Sequence, residues 1–166
     1  MDFDDAGCGG NRGRDLRDGG TLSVKNGAAE PRTQVAALPI RRDKTGEVRV
    51  LLIISRETRR WIIPKGWPMK GRTNAQAAAQ EALEEAGIEG RVQKEPFGKY
   101  LYWKRGEANF ELCEVLVYLL EVKRQLETWR EKGQREARWF SVEDAADLVE
   151  EPGLTAVIAS LGEERG

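Results

Sequence analysis

A chain of 166 residues has room for one domain and a tail. Its 27 Lys and Arg nearly balance 28 Asp and Glu, and a net charge of −1 argues against a general nucleic-acid binder. No apolar run approaches the ~20 residues that span a bilayer, so no membrane partner is expected. The chain has no histidine, which removes His-based triads, His metal sites and His general bases. Residues MDFDDAGCGG lack a basic segment followed by an apolar one, so no signal peptide is expected. Cys8 and Cys113 read as free thiols of a protein in the reducing cytoplasm.

Residues 1–30 are rich in Gly, Asp, Arg and Asn and predict a flexible tail. Residues 31–166 predict the folded domain, with order beginning near Arg32. TQVAALPI (33–40) and VRVLLIIS (48–55) predict strands around the turn RRDKTGE. WIIPKG predicts a short strand stopped by Pro64. A helix follows, capped by Thr73 or Asn74 with Gln76 placed for a capping box, and it ends at Gly87. FGKYLYWKR (97–105) and FELCEVLVYLLEV (110–122) predict a hairpin, and ARWFS (137–141) a further strand. Two short helices, 142–149 capped by Ser141 and 153–161, complete the chain. The expected class is α/β with mixed α+β character: a mixed sheet between helices. Trp61, Trp103 and Trp139 are expected in the core.

On the central helix, Glu81, Glu84 and Glu85 stand at i, i+3 and i+4 and share a face. Ala75, Ala79, Ala82, Leu83 and Ala86 fall on the other side, which can pack on the sheet. Like charges at this spacing repel, and Glu84 and Glu85 add to the negative helix end. A divalent cation would relieve both penalties, and Mg²⁺ suits a few carboxylates with the rest of its shell open to water and phosphate oxygens. The plain alternative is a solvated acidic face.

The stretch Pro64–Ile88, PKGWPMKGRTNAQAAAQEALEEAGI, resembles the signature of the Nudix hydrolases, G-x5-E-x7-R-E-U-x-E-E-x-G-U, where U is bulky and apolar. Gly66, Glu81, Glu84, Glu85, Gly87 and Ile88 match in register. Three positions depart: Arg72 for the first glutamate, Gln80 for the arginine, and the small Ala82. The family's arginine braces the helix glutamates, and Gln80 offers a hydrogen bond without charge. Restoring it, Gln80→Arg, is expected to leave Mg²⁺ binding unchanged or tighter. From about Arg32 to Leu161, WIIPKG, EEAGIEG and LETWREKGQREARWFSVEDAADLV resemble the diphosphoinositol polyphosphate phosphohydrolase branch. Lys65 before Gly66 departs from that branch and is similar to other Nudix hydrolases, including those acting on diadenosine polyphosphates.

The resemblance implies the Nudix fold and hydrolysis of a diphosphate linkage, in diphosphoinositol or dinucleoside polyphosphates, with Mg²⁺ or Mn²⁺. The alternative is a Nudix-fold binding or regulatory module with little or no turnover. Glu81, Glu85 and the Gly66 carbonyl are the implied metal ligands, and Glu84 a second ligand or the base acting on water. A small phosphorylated substrate is the expected partner, and nothing in the sequence indicates an oligomeric state. Lys65, Lys70, Arg72, Arg32, Arg41 and Lys104 are candidates to bind its phosphates. Gly66 permits close backbone approach, and Trp67 in the adjoining loop is a candidate substrate contact.

Overall fold

The computed structural model describes residues 30–165. The expected tail, residues 1–30, lies almost wholly outside them, and the fold belongs to the unit Thr33–Gly166. In chain order the elements are β1 (Arg32–Arg42), β2 (Val48–Ile54), β3 (Trp61–Ile62), β4 (Lys65–Gly66), α1 (Asn74–Ala86), β5 (Ile88–Val92), β6 (Gly98–Arg105), β7 (Phe110–Gln125), β8 (Ala137–Ser141), α2 (Val142–Leu148) and α3 (Pro152–Arg165). The strands form one mixed sheet with the central order β8-β2-β1-β7-β5. No helix among the described residues is long and apolar enough to cross a membrane.

The strand sequences explain a sheet covered on both sides. Val35 and Ala37, Leu51 and Ile53, and Tyr118 and Leu120 pack with the alanines of α1. Their neighbours Ala36 and Leu38, Val50 and Leu52, and Val117 and Leu119 pack with α2 and α3 on the opposite face. Alternate side chains point to opposite faces, so a strand buried twice must be apolar at every position. Cys113 is buried and forms no disulfide.

The β1–β2 turn is tied by Asp43. Its Oδ1 accepts from Thr45 N–H (2.9 Å), Thr45 Oγ1 (2.6 Å) and Glu47 N–H (3.0 Å), and Arg49 Nε donates to Oδ2 at 2.9 Å. Beyond the turn the two strands separate. Ile40–Arg42 pair with Val48–Val50, but Val35–Ala36 pair with Lys65–Gly66 and Ile53–Ile54 with Trp61–Ile62. Segment 61–66 thus fills the fork between β1 and β2. Pro64 does not end pairing as expected; it divides the segment into β3 and β4, and its carbonyl accepts from Ala37 N–H at 3.0 Å. The insertion carries Gly66 inside the sheet, beneath α1.

Three further expectations are revised. Ala77 and Ala78 are buried on α1, whereas Ala79 and Leu83 are half-buried along an open groove beside β5. The stripe facing the sheet is Ala75–Ala78–Ala82–Ala86, one step round from the expected one, which brings Glu81 and Glu85 to its edge. Trp103 is 63% exposed, because Tyr100 and Tyr102 take the inward positions of β6 and leave it on the outer face. Trp61, by contrast, is half-buried, edge-on to Phe140 at 5.1 Å, and Trp139 is half-buried against the α1 side of the core. Strand β5 was not expected at all: its sequence IEGRV has a central glycine and apolar residues only at its ends.

Candidate active site

Helix α1 is set by local chemistry at both ends. Thr73 Oγ1 accepts from Gln76 N–H at 3.1 Å, and Gln76 Oε1 accepts from Thr73 N–H at 2.9 Å. Gly87 closes the helix at φ 68° and ψ 32°, and the Trp129 ring lies where a Cβ would stand. Between these stops, Glu81 and Glu85 are one turn apart at the edge of the buried stripe, facing β4. The Glu81 carboxylate rests against Gly66: a Cβ there would overlap its Cδ and Oε2 and stand 2.9 Å from Oε1.

Glu85 lies close enough to Glu81 for each carboxyl to act on the other. Burial raises both carboxyls; it pushes Glu85 up to about 8, against the lowering pull of Arg135. Glu131 adds to the effect on both. Two half-buried carboxyls one turn apart, with Glu81 resting on the Gly66 backbone, form an oxygen donor set that fits a hard divalent cation. Among the described residues, no group of three His, Cys, Asp or Glu side chains is gathered to hold a metal ion. Glu84 is engaged elsewhere.

The Glu84 carboxylate accepts from Gln80 Nε2 at 2.7 Å and pairs with Arg130 Nη1 at 3.3 Å. Gln80 Oε1 in turn accepts from Arg72 Nη1 at 3.1 Å. The two unexpected residues, Arg72 and Gln80, therefore form one relay, whose amide turns a donor toward Glu84 and an acceptor toward the guanidinium. This revises the expectation for Gln80→Arg. On its own the change sets a second guanidinium against Arg72 and is expected to lower turnover several-fold. Combined with Arg72→Glu it allows an ion pair and should recover the rate. Initial rates of the two single variants and the double variant check this; a faster Gln80→Arg single variant would mean that Arg72 is no partner.

A strap over residues 126–136 supplies what α1 lacks, since its last turn has no basic residue. Leu126 N–H donates to Gly87 O at 2.7 Å and Glu131 N–H to Glu84 O at 3.0 Å. Arg135, whose side chain is 7% exposed, donates to Glu131 Oε1 at 2.8 Å and stands 3.9 Å from Glu85 Oε1. Glu131 and Arg135 escape a sequence reading because they reach α1 only through the tertiary fold. The one hint was the similarity around LETWREKGQRE.

Of the other expected residues, Lys65 is half-buried in β4 beside Gly66, its Nζ 4.8 Å from the centre of the Tyr102 ring. Burial lowers its ammonium pKa and Glu85 opposes the shift, so Lys65 lies within electrostatic reach of the carboxylates. Trp67 is half-buried next in the chain, and Lys70 and Arg72 are exposed in the loop before α1. Lys104 is half-buried on β6. Arg32 is exposed at the start of β1. Arg41 lies six residues along that strand from Val35, the partner of Gly66, or about 20 Å away. Its guanidinium stacks on Trp139 at 4.0 Å, so the structure does not bring it to the carboxylates.

The raised carboxyls give a stability signature. A carboxyl whose folded pKa exceeds its unfolded value stabilises the fold fully below the unfolded pKa and loses that contribution as pH rises through the folded one. For Glu85 the window runs from 4.5 to about 8. Metal-free protein should melt at lower temperature as pH rises through this window, and less steeply in Glu85→Gln. Parallel slopes in thermal melts would refute the shift.

A family model described as the NUDIX domain matches residues 30–161. The chain is 34% identical over 112 residues to Nudix hydrolase 13, mitochondrial, of Arabidopsis thaliana, covering 64% of this chain and 55% of that protein. It thus spans little more than half the length of that relative. It is 32% identical over 124 residues to diphosphoinositol polyphosphate phosphohydrolase 3-beta of Bos taurus, covering 70% of this chain and 68% of that one. The crystal structure of the C. elegans Ap4A hydrolase shares the fold at a TM-score of 0.61 and 16% identity, over 82% of this chain and 100% of that one. With the glutamate helix, its glycine cradle and the sheet between helices, these matches place the chain in the Nudix family.

Proposed function

We propose that this protein hydrolyses a diphosphate linkage in a small phosphorylated molecule, a diphosphoinositol or dinucleoside polyphosphate, using Mg²⁺ or Mn²⁺. The observation that carries the reading is the Glu81 carboxylate seated on Gly66, with Glu85 one helical turn away beside it. Glu81, Glu85 and the Gly66 carbonyl would hold the cation. Bound there, it would neutralise phosphate oxygens and the charge that builds on the leaving group. Lys65 supplies a protein cation beside that point for the substrate's phosphates. Glu84, oriented by Gln80 and Arg130, keeps spare acceptor capacity and serves as the base. Water oxygen bonds to phosphorus, its proton passes to Glu84, and the bridging P–O bond breaks with its electron pair leaving on the departing phosphate.

Turnover should vanish on exhaustive chelation and return with Mg²⁺ or Mn²⁺. Phosphate release that survives chelation would overturn the reading. The neutral amide at Gln80 favours one alternative, a binding module of the same fold. It predicts metal-dependent ligand binding without phosphate release.

A further inference from the structure

Further along β7 from α1, the same side of the sheet carries an apolar face left in water. Tyr118 and Leu120 pack with the α1 core, and strand alternation puts Glu114, Leu112 and Phe110 on that side too. Their partners across the β6–β7 hairpin share the face, in the rungs Leu101–Glu114, Trp103–Leu112 and Arg105–Phe110. The intervening β6 residues turn the other way, where Tyr100 packs against Gly153 of α3. Leu101, Trp103 and Phe110 are 53%, 63% and 61% exposed. They are three of the four exposed large hydrophobics among the described residues, so the exposure is gathered here rather than scattered. At these exposures each ring leaves about 100–150 Å² in water, and with Leu101 the patch reaches roughly 300 Å², the scale that marks an interaction site.

The three rungs are complementary to themselves. Successive rungs on one face lie about 7 Å apart. A two-fold axis in the plane of contact, crossing the strands at the Trp103–Leu112 rung, lays the Arg105–Phe110 rung of one copy over the Leu101–Glu114 rung of the other. Phe110 then meets Leu101, Arg105 reaches Glu114, and the two Trp103 rings close the centre. Both polar groups have capacity for this. Arg105 makes no ion pair among the described residues and stands 6.0 Å from the Phe110 ring. Glu114 holds Lys99 at 3.4 Å through one oxygen and keeps the other. Strand addition at the free edge of β6 is a poorer use of the hairpin, since Lys99, Lys104 and Arg105 guard that edge.

We propose that this face binds a second copy of the chain, packing two β6–β7 hairpins face to face in a two-fold dimer. Trp, Phe and Arg are the residues that anchor such interfaces. The patch is smaller than the ~800 Å² per partner of a standard interface, so the dimer is concentration-dependent, with a dissociation constant on the order of micromolar.

Sedimentation velocity of the full chain from about 1 to about 100 μM, a span that brackets this constant, should show monomer passing to dimer. Trp103→Ala and Phe110→Ala should each weaken the dimer by roughly tenfold or more. Arg105→Glu sets like charges together at two symmetric places and should weaken it by about as much. Adding Glu114→Arg to Arg105→Glu restores opposite charges across the axis and should recover the dimer. Circular dichroism melts of all variants should stay close to wild type, because the substituted side chains face water.

A wild-type monomer at every concentration overturns the proposal. So does a dimer untouched by Trp103→Ala and Phe110→Ala, whose interface must lie elsewhere. A double charge variant no tighter than Arg105→Glu alone overturns the two-fold arrangement. A monomer that sediments with anionic lipid vesicles, and loses this in Trp103→Ala, would give the face to a membrane surface instead.

Discussion

Glu81→Gln and Glu85→Gln should each cut turnover by roughly 10²-fold or more, the scale of losing a positioned catalytic or charge-orienting group. The amide keeps the shape of the carboxyl and most of its hydrogen bonding but holds no negative charge. Glu84→Gln should also fall, since an amide takes no proton from water. Stability should move the other way. Burial disfavours both Glu81 and Glu85 as anions, and the charges of Glu84 at Glu81 and of Glu81 at Glu85 add to it, so in chelator their amide variants should melt at the same temperature or slightly higher. A solvated acidic face predicts the same melts with unaltered rates. Rate and metal-free melting temperature, measured on the same preparations, therefore decide; near-normal turnover in both Glu81→Gln and Glu85→Gln would remove the metal site.

Gly66→Ala should be nearly as damaging to the rate and much gentler on the fold. Gly66 is not among the residues at positive φ, and its strand pairing with Val35 accommodates an alanine backbone. The methyl group, however, would occupy the space of the Glu81 carboxylate. Glu81 would have to swing out, and a misplacement near 1 Å can lower turnover by about 10²-fold. Circular dichroism melts beside rate measurements test this. A Gly66→Ala protein with wild-type turnover would show that Glu81 works from another position.

Much of this architecture is legible in the residues. Thr73, Gln76 and Gly87 mark both ends of α1 by side-chain and backbone chemistry that needs no distant partner. The unbroken apolar runs of β1, β2 and β7 announce a sheet buried twice. What escapes is decided at long range. Trp103 looks like core until the register of β6 on β7 fixes its face. The Arg72–Gln80 contact joins a loop to a helix eight residues on, and each residue alone reads as a defect. The strap over 126–136 has no periodicity, yet it brings Glu131 and Arg135 against the carboxylates. Arg41 reads as a phosphate ligand by composition, but its place on β1 gives it to Trp139.

The strap also has a consequence for motion. Its amides at Leu126 and Glu131 donate to the carbonyls of Gly87 and Glu84, and Trp129 covers the helix end. Neither the helix terminus nor the strap can open without uncovering the other. Hydrogen exchange should register them as one unit, with the amides of Leu126 and Glu131 exchanging at a rate common to the last turn of α1. That would make local opening here an all-or-none event: the glutamates and the arginines beside them would be assembled together or lost together.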